Sequence, residues 1–342
     1  TGSLLFGVGV NSDSGLMGSI VLNERNFDIT RLPTSIDDLL SGNAFRGAGQ
    51  EFRVEAVPGI DLQRYTASWR EPFLFDSLFS LSVSGYYYDA IFNEDIESRL
   101  GARFTLGRKL NDYWTASVTT RVENIGIHNV APWEPVDYTS VIGNNFLAGF
   151  RADATYDDRD SVLRATEGSL LDISAEECTG DHTFPLLNVD YNKYFTVAQR
   201  ADGTGRQVLA LHSAVGWAGD STPVYERFYG GGFRSIRGFE FRGVGPDING
   251  FKVGGDFMLL NSLEYQVPLV AKDAVYAVAF LDTGTVEQRV QITDYRVTAG
   301  FGLRVVVPML GQVPIALDFG FPVHQAPTDF KQVFSFWLGF FR

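Results

Sequence analysis

The 342-residue sequence holds one cysteine, three methionines and four histidines. A lone Cys178 excludes an internal disulfide framework and a multi-cysteine metal site, and reads as a tolerated residue at a strand end. His128, His182, His212 and His324 are scattered, with neither HExxH nor metal-ligand spacing, so each reads as a polar loop or interior residue. No run approaches the roughly eighteen apolar residues of a transmembrane helix. Thr1 to Val10 shows neither the charged start nor the cleavage site of a signal peptide, and the chain reads as an excised or processed segment. A basic excess is missing too: 41 acidic against 28 basic residues give a net charge of −13, which argues against nucleic acid as a partner.

What is abundant is glycine (36), phenylalanine (28) and tyrosine (14). Aromatic and β-branched side chains fill a pleated surface and glycine makes turns, so an all-β fold is expected. Period-two alternation runs from end to end. Over Phe257 to Val267, Phe257, Leu259, Leu263, Tyr265 and Val267 face Ser262, Glu264 and Gln266 across the strand. Sixteen such segments begin near Ser3, Leu16, Gln50, Gln63, Ser77, Ser98, Tyr113, Asn145, Ser169, Leu187, Gln207, Asp256, Ala274, Tyr295, Pro314 and Val333.

An even count suits a closed up-and-down antiparallel barrel with both termini on one side. Alternation alone leaves a soluble sandwich open, but sixteen strands exceed one sandwich core, and arginines and carboxylates sit mid-strand as in a polar lumen. Tyr86 to Tyr88, Tyr113 with Trp114, and Phe336, Trp337, Phe340 and Phe341 read as girdles at the membrane interfaces. We therefore expect residues 1–342 to form a single 16-stranded antiparallel transmembrane β-barrel. Asn11 to Gly15 is a tight connection, and Ile125 to Asn144 and Trp217 to Gly255 are long ones. Arg31 to Gly49, between segments two and three, carries a helix signature: Thr34 or Ser35 as N-cap, Asp37 and Asp38 in the first turn, Gly42 as stop. It predicts about two turns from Ser35 to Leu40, with Ile36, Leu39 and Leu40 as the apolar face, on the side of the termini.

The segment GGGFRSIRGFEFRGVGP (Gly230 to Pro246) crowds glycines around Arg234, Arg237 and Arg242. A phosphate loop needs a lysine followed by Ser or Thr after the second glycine, and a dinucleotide fingerprint needs a following helix; neither is present. An ordered loop whose arginines are answered by carboxylates elsewhere in the same protein stays open, with Arg234 and Arg242 read as packing or rim charges. Asp157, Asp158 and Asp160 look like a calcium cluster, yet Arg159 and Arg164 stand among them without EF-hand order, so a solvated turn is expected.

IRGF (Ile236 to Phe239) with Gly245 and Pro246, preceded by YERFYGGG, resembles the sixth extracellular loop of BamA-type outer-membrane assembly factors. TYDDRDSVLRATEGSLL, NSLEYQVPL, FLDTGTV and TAGFGLRVVVPM resemble, in order, that family's turn between strands eight and nine and its strands twelve, thirteen and fourteen. The resemblance implies a barrel of the bacterial outer membrane, with residues 217–255 folded back into the lumen and the RGF arginine paired with acids of strands twelve and thirteen. Here these are Arg237, Glu264 and Asp282, where a planar guanidinium offers carboxylates a fork of donors that lysine cannot copy. Bracing of the barrel is the plainer role open to the same trio.

Gly7 and Gly9 in the first strand and Gly339 in the last mark where strand pairing weakens; relief of crowding in a tilted barrel is the plainer alternative. In the family this seam is the lateral gate. The implied function is non-enzymatic, with no cofactor and no metal: folding and insertion of unfolded β-barrel clients by strand templating at the seam. Outer-membrane lipids and accessory lipoproteins or periplasmic partners would accompany it. A TamA-like factor or a two-partner-secretion transporter of the same superfamily is the nearest alternative. A passive porin should lack the paired arginine, and an outer-membrane enzyme needs a clustered site that four dispersed histidines do not supply.

Overall fold

The computed structural model describes residues 2–40, 44–270, 274–306 and 315–338. Sixteen antiparallel strands close into one barrel, each bonded to the next in sequence. The first eight are β1 (Gly2–Asn11), β2 (Gly15–Phe27), β3 (Gln50–Val57), β4 (Leu62–Glu71), β5 (Phe79–Ile91), β6 (Ile96–Lys109), β7 (Trp114–His128) and β8 (Gly143–Asp157). The second eight are β9 (Gly168–Gly180), β10 (Phe184–Ala198), β11 (Gln207–Ala218), β12 (Phe257–Pro268), β13 (Val275–Glu287), β14 (Arg296–Val305), β15 (Ile315–His324) and β16 (Phe334–Leu338). Every start lies within three residues of the position expected from alternation, because the face a residue occupies is fixed by its parity along a pleated strand. In β13, for example, Tyr276, Val278, Phe280 and Asp282 are buried while Ala279 and Leu281 face outward.

Some details of the barrel wall differ from the sequence reading. Strand β7 continues through Ile125 to His128, so its connection to β8 covers only 129–142 and holds a short helix, Val136–Thr139. The inner face is not polar throughout. At this end Ile125, Ile127 and Leu147 pack with Tyr138, Phe184, Val224, Tyr225 and Val253 into a buried apolar cluster, because loops cover the strands there. Of the three tyrosines of β5, only Tyr87 faces outward, stacked on Tyr65 at 6.4 Å. Tyr86 donates to Glu123 on the polar face, so a girdle of all three is ruled out by alternation. Likewise Trp337 is 7% exposed rather than interfacial, and Phe340 and Phe341 lie outside the described residues.

The connection from β2 to β3 contains helix α1 (Ile36–Leu40), five residues and so shorter than the expected two turns. Its start is bonded as the sequence suggests: the Asp38 amide donates to Ser35 Oγ at 3.0 Å and the Thr34 amide to Asp38 Oδ2 at 3.1 Å. Ile36 is 77% exposed and makes no packed face; the side chains of Leu39 and Leu40 lie outside those described. Antiparallel topology places α1 at the barrel end where β1 begins, opposite the β1–β2 turn.

The connection between β11 and β12 is 219–256, since Trp217 and Ala218 finish β11. It contains a 3-10 turn at Val224–Glu226, a two-residue strand Gly238–Phe239 paired with Lys331–Gln332, and a hairpin of Asp247–Ile248 with Phe251–Lys252.

Removing the Ser35 hydroxyl should leave the barrel intact and fray α1. Ser35→Ala is expected to cost about 1 kcal/mol of local stability, read as faster amide exchange at Asp38 with an unchanged unfolding midpoint of the barrel.

Candidate functional site

The site is built on a floor of glycines. In β14, Gly300 stands opposite Phe280 of β13, and a Cβ on it would lie 2.2 Å from the Phe280 ring. The ring therefore lies flat across the strand, where it meets the Arg237 guanidinium 3.5 Å from its centroid. In β15, a Cβ on Gly320 would come within 2.7 Å of the Gly238 amide nitrogen, so the loop backbone rests directly on the sheet. Gly238 itself has φ of 94°, which a side chain would oppose. Ile236 and Phe239, alternating with these, are fully buried with Val244 against Ala214 and Leu260.

The structure brings Arg237, Glu264 and Asp282 together. Arg237 Nε donates to Asp282 Oδ2 at 2.7 Å and Nη2 to Oδ1 at 2.9 Å, a two-pronged pair, while the Arg237 amide reaches the same Oδ2 at 3.1 Å. Its Nη1 donates to Glu264 Oε2 at 2.7 Å, and Asp318 Oδ2 stands 3.6 Å away. Ser262 Oγ donates to Asp282 Oδ1 at 2.6 Å. Arg304 of β14 completes the lattice, bonded to Asp318 Oδ2 at 3.0 Å and to Glu264 Oε2 at 3.5 Å. Arg237 is 6% exposed and Asp282 is not exposed at all. Charges so far from water persist only because each is answered by an opposite charge and further hydrogen bonds.

Sequence reasoning missed a second ion cluster, on the opposite wall. Glu226, in the 3-10 turn, accepts from Arg121 Nη2 of β7 at 2.8 Å and from Arg99 of β6. Arg99 Nη2 also donates to the Tyr225 carbonyl at 2.7 Å, and Arg121 pairs with Glu123 at 3.2 Å and with Glu176 of β9. The signal was present in YERF, directly before the glycines, and in two mid-strand arginines on inward parity. The loop thus presents an anion to β6 and β7 and a cation to β12 and β13.

The remaining expected residues are placed as follows. Gly245, with φ of 147°, and Pro246, whose carbonyl accepts from the Val253 amide at 3.1 Å, turn the chain into the hairpin. Gly7 and Gly9 lie in β1 and pair with Ser19 and Met17 of β2; Gly339 lies outside the described residues. Arg242 stacks on Phe92 and Tyr229 at 3.5 and 4.5 Å, and Arg234 lies 5.3 Å from the Phe233 ring. The three aspartates of the β8–β9 turn hold local donors: Asp157 takes Arg159, Asp158 takes Ser169 and Asp160 takes Thr166. Buried Cys178 lies 3.5 Å from Arg121 Nη2.

A closed 16-stranded barrel with lipid-suited outer and charged inner faces defines a multi-pass β-barrel of the bacterial outer membrane. The chain belongs to the Omp85 superfamily, whose domain model matches residues 44–341. It is similar to the outer membrane protein assembly factor BamA of Nitratidesulfovibrio vulgaris, 24% identical over 298 residues, which cover 83% of this chain and 34% of the relative. With the factor of the same name from Neisseria meningitidis serogroup B it shares 29% over 222 residues, 53% of this chain and 27% of that one. The chain thus spans about a third or less of the length of these relatives. Among solved structures, BamA from Haemophilus ducreyi lacking POTRA domains 1-3 superposes with a TM-score of 0.82 at 19% identity, covering 99% of this chain and 70% of the other. CdiB from Acinetobacter baumannii gives 0.60 at 15% identity, covering 98% and 59%.

Two substitutions separate the contributions. Asp282→Asn takes the two-pronged partner from the buried guanidinium, leaving Glu264 to answer it, and should cost up to roughly 3–5 kcal/mol in urea unfolding of the folded barrel. Gly320→Val pushes the loop off β15 without touching a charge, and roughly 1–3 kcal/mol is expected in the same measurement.

Proposed function

We propose that this barrel folds β-barrel client proteins and inserts them into the outer membrane by strand addition at the β1–β16 seam. The observation that carries the reading is the thinness of that seam. Among the described residues β16 meets β1 only at Val10 with Leu338 and Asn11 with Trp337, supplemented by the Ser12 amide donating to the Phe336 carbonyl at 3.0 Å. Strand β1 pairs with β2 along its whole length, and among the described residues no strand pairs with its other edge over Gly2 to Gly9. In lipid such an edge has no water to satisfy it and favours a partner strand. Side chains agree: Leu4, Leu5, Phe6 and Val8 are between 55% and 68% exposed, and Leu5 shares the parity of buried Gly9. A client strand would supply the missing partners and cover this apolar surface on both faces.

In this reading the loop 219–256 is folded into the lumen, and the Arg237 lattice holds it there while the seam exchanges partners. The β2–β3 insertion with α1 stands on the periplasmic side, with the accessory lipoproteins or periplasmic partners. No nucleotide, metal or covalent step enters the mechanism. Sequence similarity to two assembly factors, with a TM-score of 0.82 to a third against 0.60 for CdiB, favours insertion over a transporter role.

Val10→Cys with Leu338→Cys, on a Cys178→Ser background, places thiols at a facing pair of the seam. Oxidation should lower client insertion about tenfold or more, and reduction should restore it. Unchanged insertion by a locked and folded barrel would count against strand addition and favour a secretion pore.

A further inference from the structure

The loop 219–256 makes two contacts toward the seam, one with each flank, and neither uses Arg237. On the β1 flank, Asn11 Oδ1 accepts from the amides of Asp13 at 2.9 Å and Ser14 at 2.7 Å, which fixes the turn into β2. Asp13 is thereby aimed at the loop, where its Oδ2 accepts from the Phe233 amide at 3.3 Å. The approach is close enough that a Cβ on Gly232 would sit 2.5 Å from that oxygen. Burial lifts the Asp13 carboxyl to about 6, against the lowering effect of Ser12, Phe233 and Arg234, as expected for a group the loop covers.

On the β16 flank the loop replaces a barrel strand. Strand β15 runs to His324, but β16 pairs with it only from Ala316 to Phe319, and the Gly320 amide donates to the Val333 carbonyl at 2.8 Å. Beyond that point the chain entering β16 turns to the loop. Lys331 and Gln332 pair with Phe239 and Gly238, the Glu240 amide donates to the Phe330 carbonyl at 3.0 Å, and the Phe330 amide to the Gly243 carbonyl at 3.1 Å. Asp329 anchors this approach. Its carboxylate accepts two bonds from Arg296 of β14, both 2.9 Å, and one from the Ala326 amide at 2.8 Å. Lys252 of the loop hairpin, 1% exposed, stands 3.7 Å from the same carboxylate and 3.8 Å from Asp247.

We propose that Asp13 and Asp329 are positioning residues of the seam, through which the loop grips the turn after β1 and the approach to β16 and sets the distance between them. The grip is a property of this chain alone; its consequence for clients rests on the insertion reading above. Opening the seam then requires release of at least one flank from the loop. The Arg237 lattice acts one step behind, by keeping the loop backbone on β15 where both flanks reach it.

The test is amide exchange of the full chain in lipid vesicles for Asp13→Asn, Asp329→Asn and the double variant, with folding checked by retained gel-shift of the unheated barrel. Exchange should rise over residues 2–12 in the first variant and over 330–338 in the second. A rise of roughly tenfold or more is expected, the scale of one lost hydrogen bond to a charged group, with β5 to β8 unchanged. Unchanged exchange at the seam, or an equal rise in every strand, overturns the proposal. Should Asp329→Asn not fold, Asp13→Asn decides, since it removes a surface-turn contact. Client insertion is read separately: variants with a loosened seam and parental insertion support the grip while counting against the insertion route.

Discussion

Backbone amides and carbonyls within a bilayer find no water, so each must be bonded inside the protein. From β1 round to β15 the barrel obeys this with six or more residue pairs at every junction, β2 with β3 having the fewest. The next junction, β15 with β16, has four, and among the described residues β16 with β1 has two. Among the described residues the fewest pairs thus fall at adjacent junctions rather than being spread around the wall. The glycine floor of β14 and β15 and the loop laid upon it lie beside these junctions, and buried charges on this wall and the opposite one hold the loop.

Those charges explain how an acidic chain tolerates so many interior arginines. Arg237 and Arg304 face Glu264, Asp282 and Asp318 on one wall, and Arg99 and Arg121 face Glu97, Glu123, Glu176 and Glu226 on the other. The first set keeps an excess of carboxylate, while in the second Arg103 and Arg242 also reach Glu123 and Glu97 and bring the charges into balance; the loop contributes Arg237 to the one and Glu226 to the other. Buried ion networks add little net stability but penalise any other placement of their members. Here they specify where a long, glycine-rich segment lies, which apolar packing of Ile236 and Phe239 alone would leave to several registers.

The barrel was legible because its signal is repeated: parity fixes the face of every residue, and sixteen segments each state the same alternation. Arg237, Glu264 and Asp282 could be named because a glycine-flanked arginine and two inward acids stood out against apolar neighbours. Tyr86 and Tyr88 look like part of a girdle by composition, but parity sends alternate tyrosines to opposite faces and leaves only Tyr87 outside. The apolar cluster of Ile125, Ile127 and Leu147 was invisible as an interior feature, since its partners come from two separate connections and from strands β9 to β11. Asp329 and Lys252 were equally hidden: a charged pair is recognised from sequence only where a strand period or a motif brings its members together, and here a loop hairpin and an irregular connection do so.

The loop also constrains the order in which the wall can be assembled. Glu226 grips β7 and Arg237 grips β13, strands six places apart around the barrel. The loop has all its ionic partners only when both walls stand beside it. The closing pair, Val10 with Leu338, joins residues 328 positions apart in the chain. Loop-closure entropy is greatest for such a contact and must be met before the contact contributes anything. Seating the loop first shortens the distance left to bridge, from that of a free chain to that between two tethered strand ends. The two residue pairs described at this junction then have only that shorter distance to close.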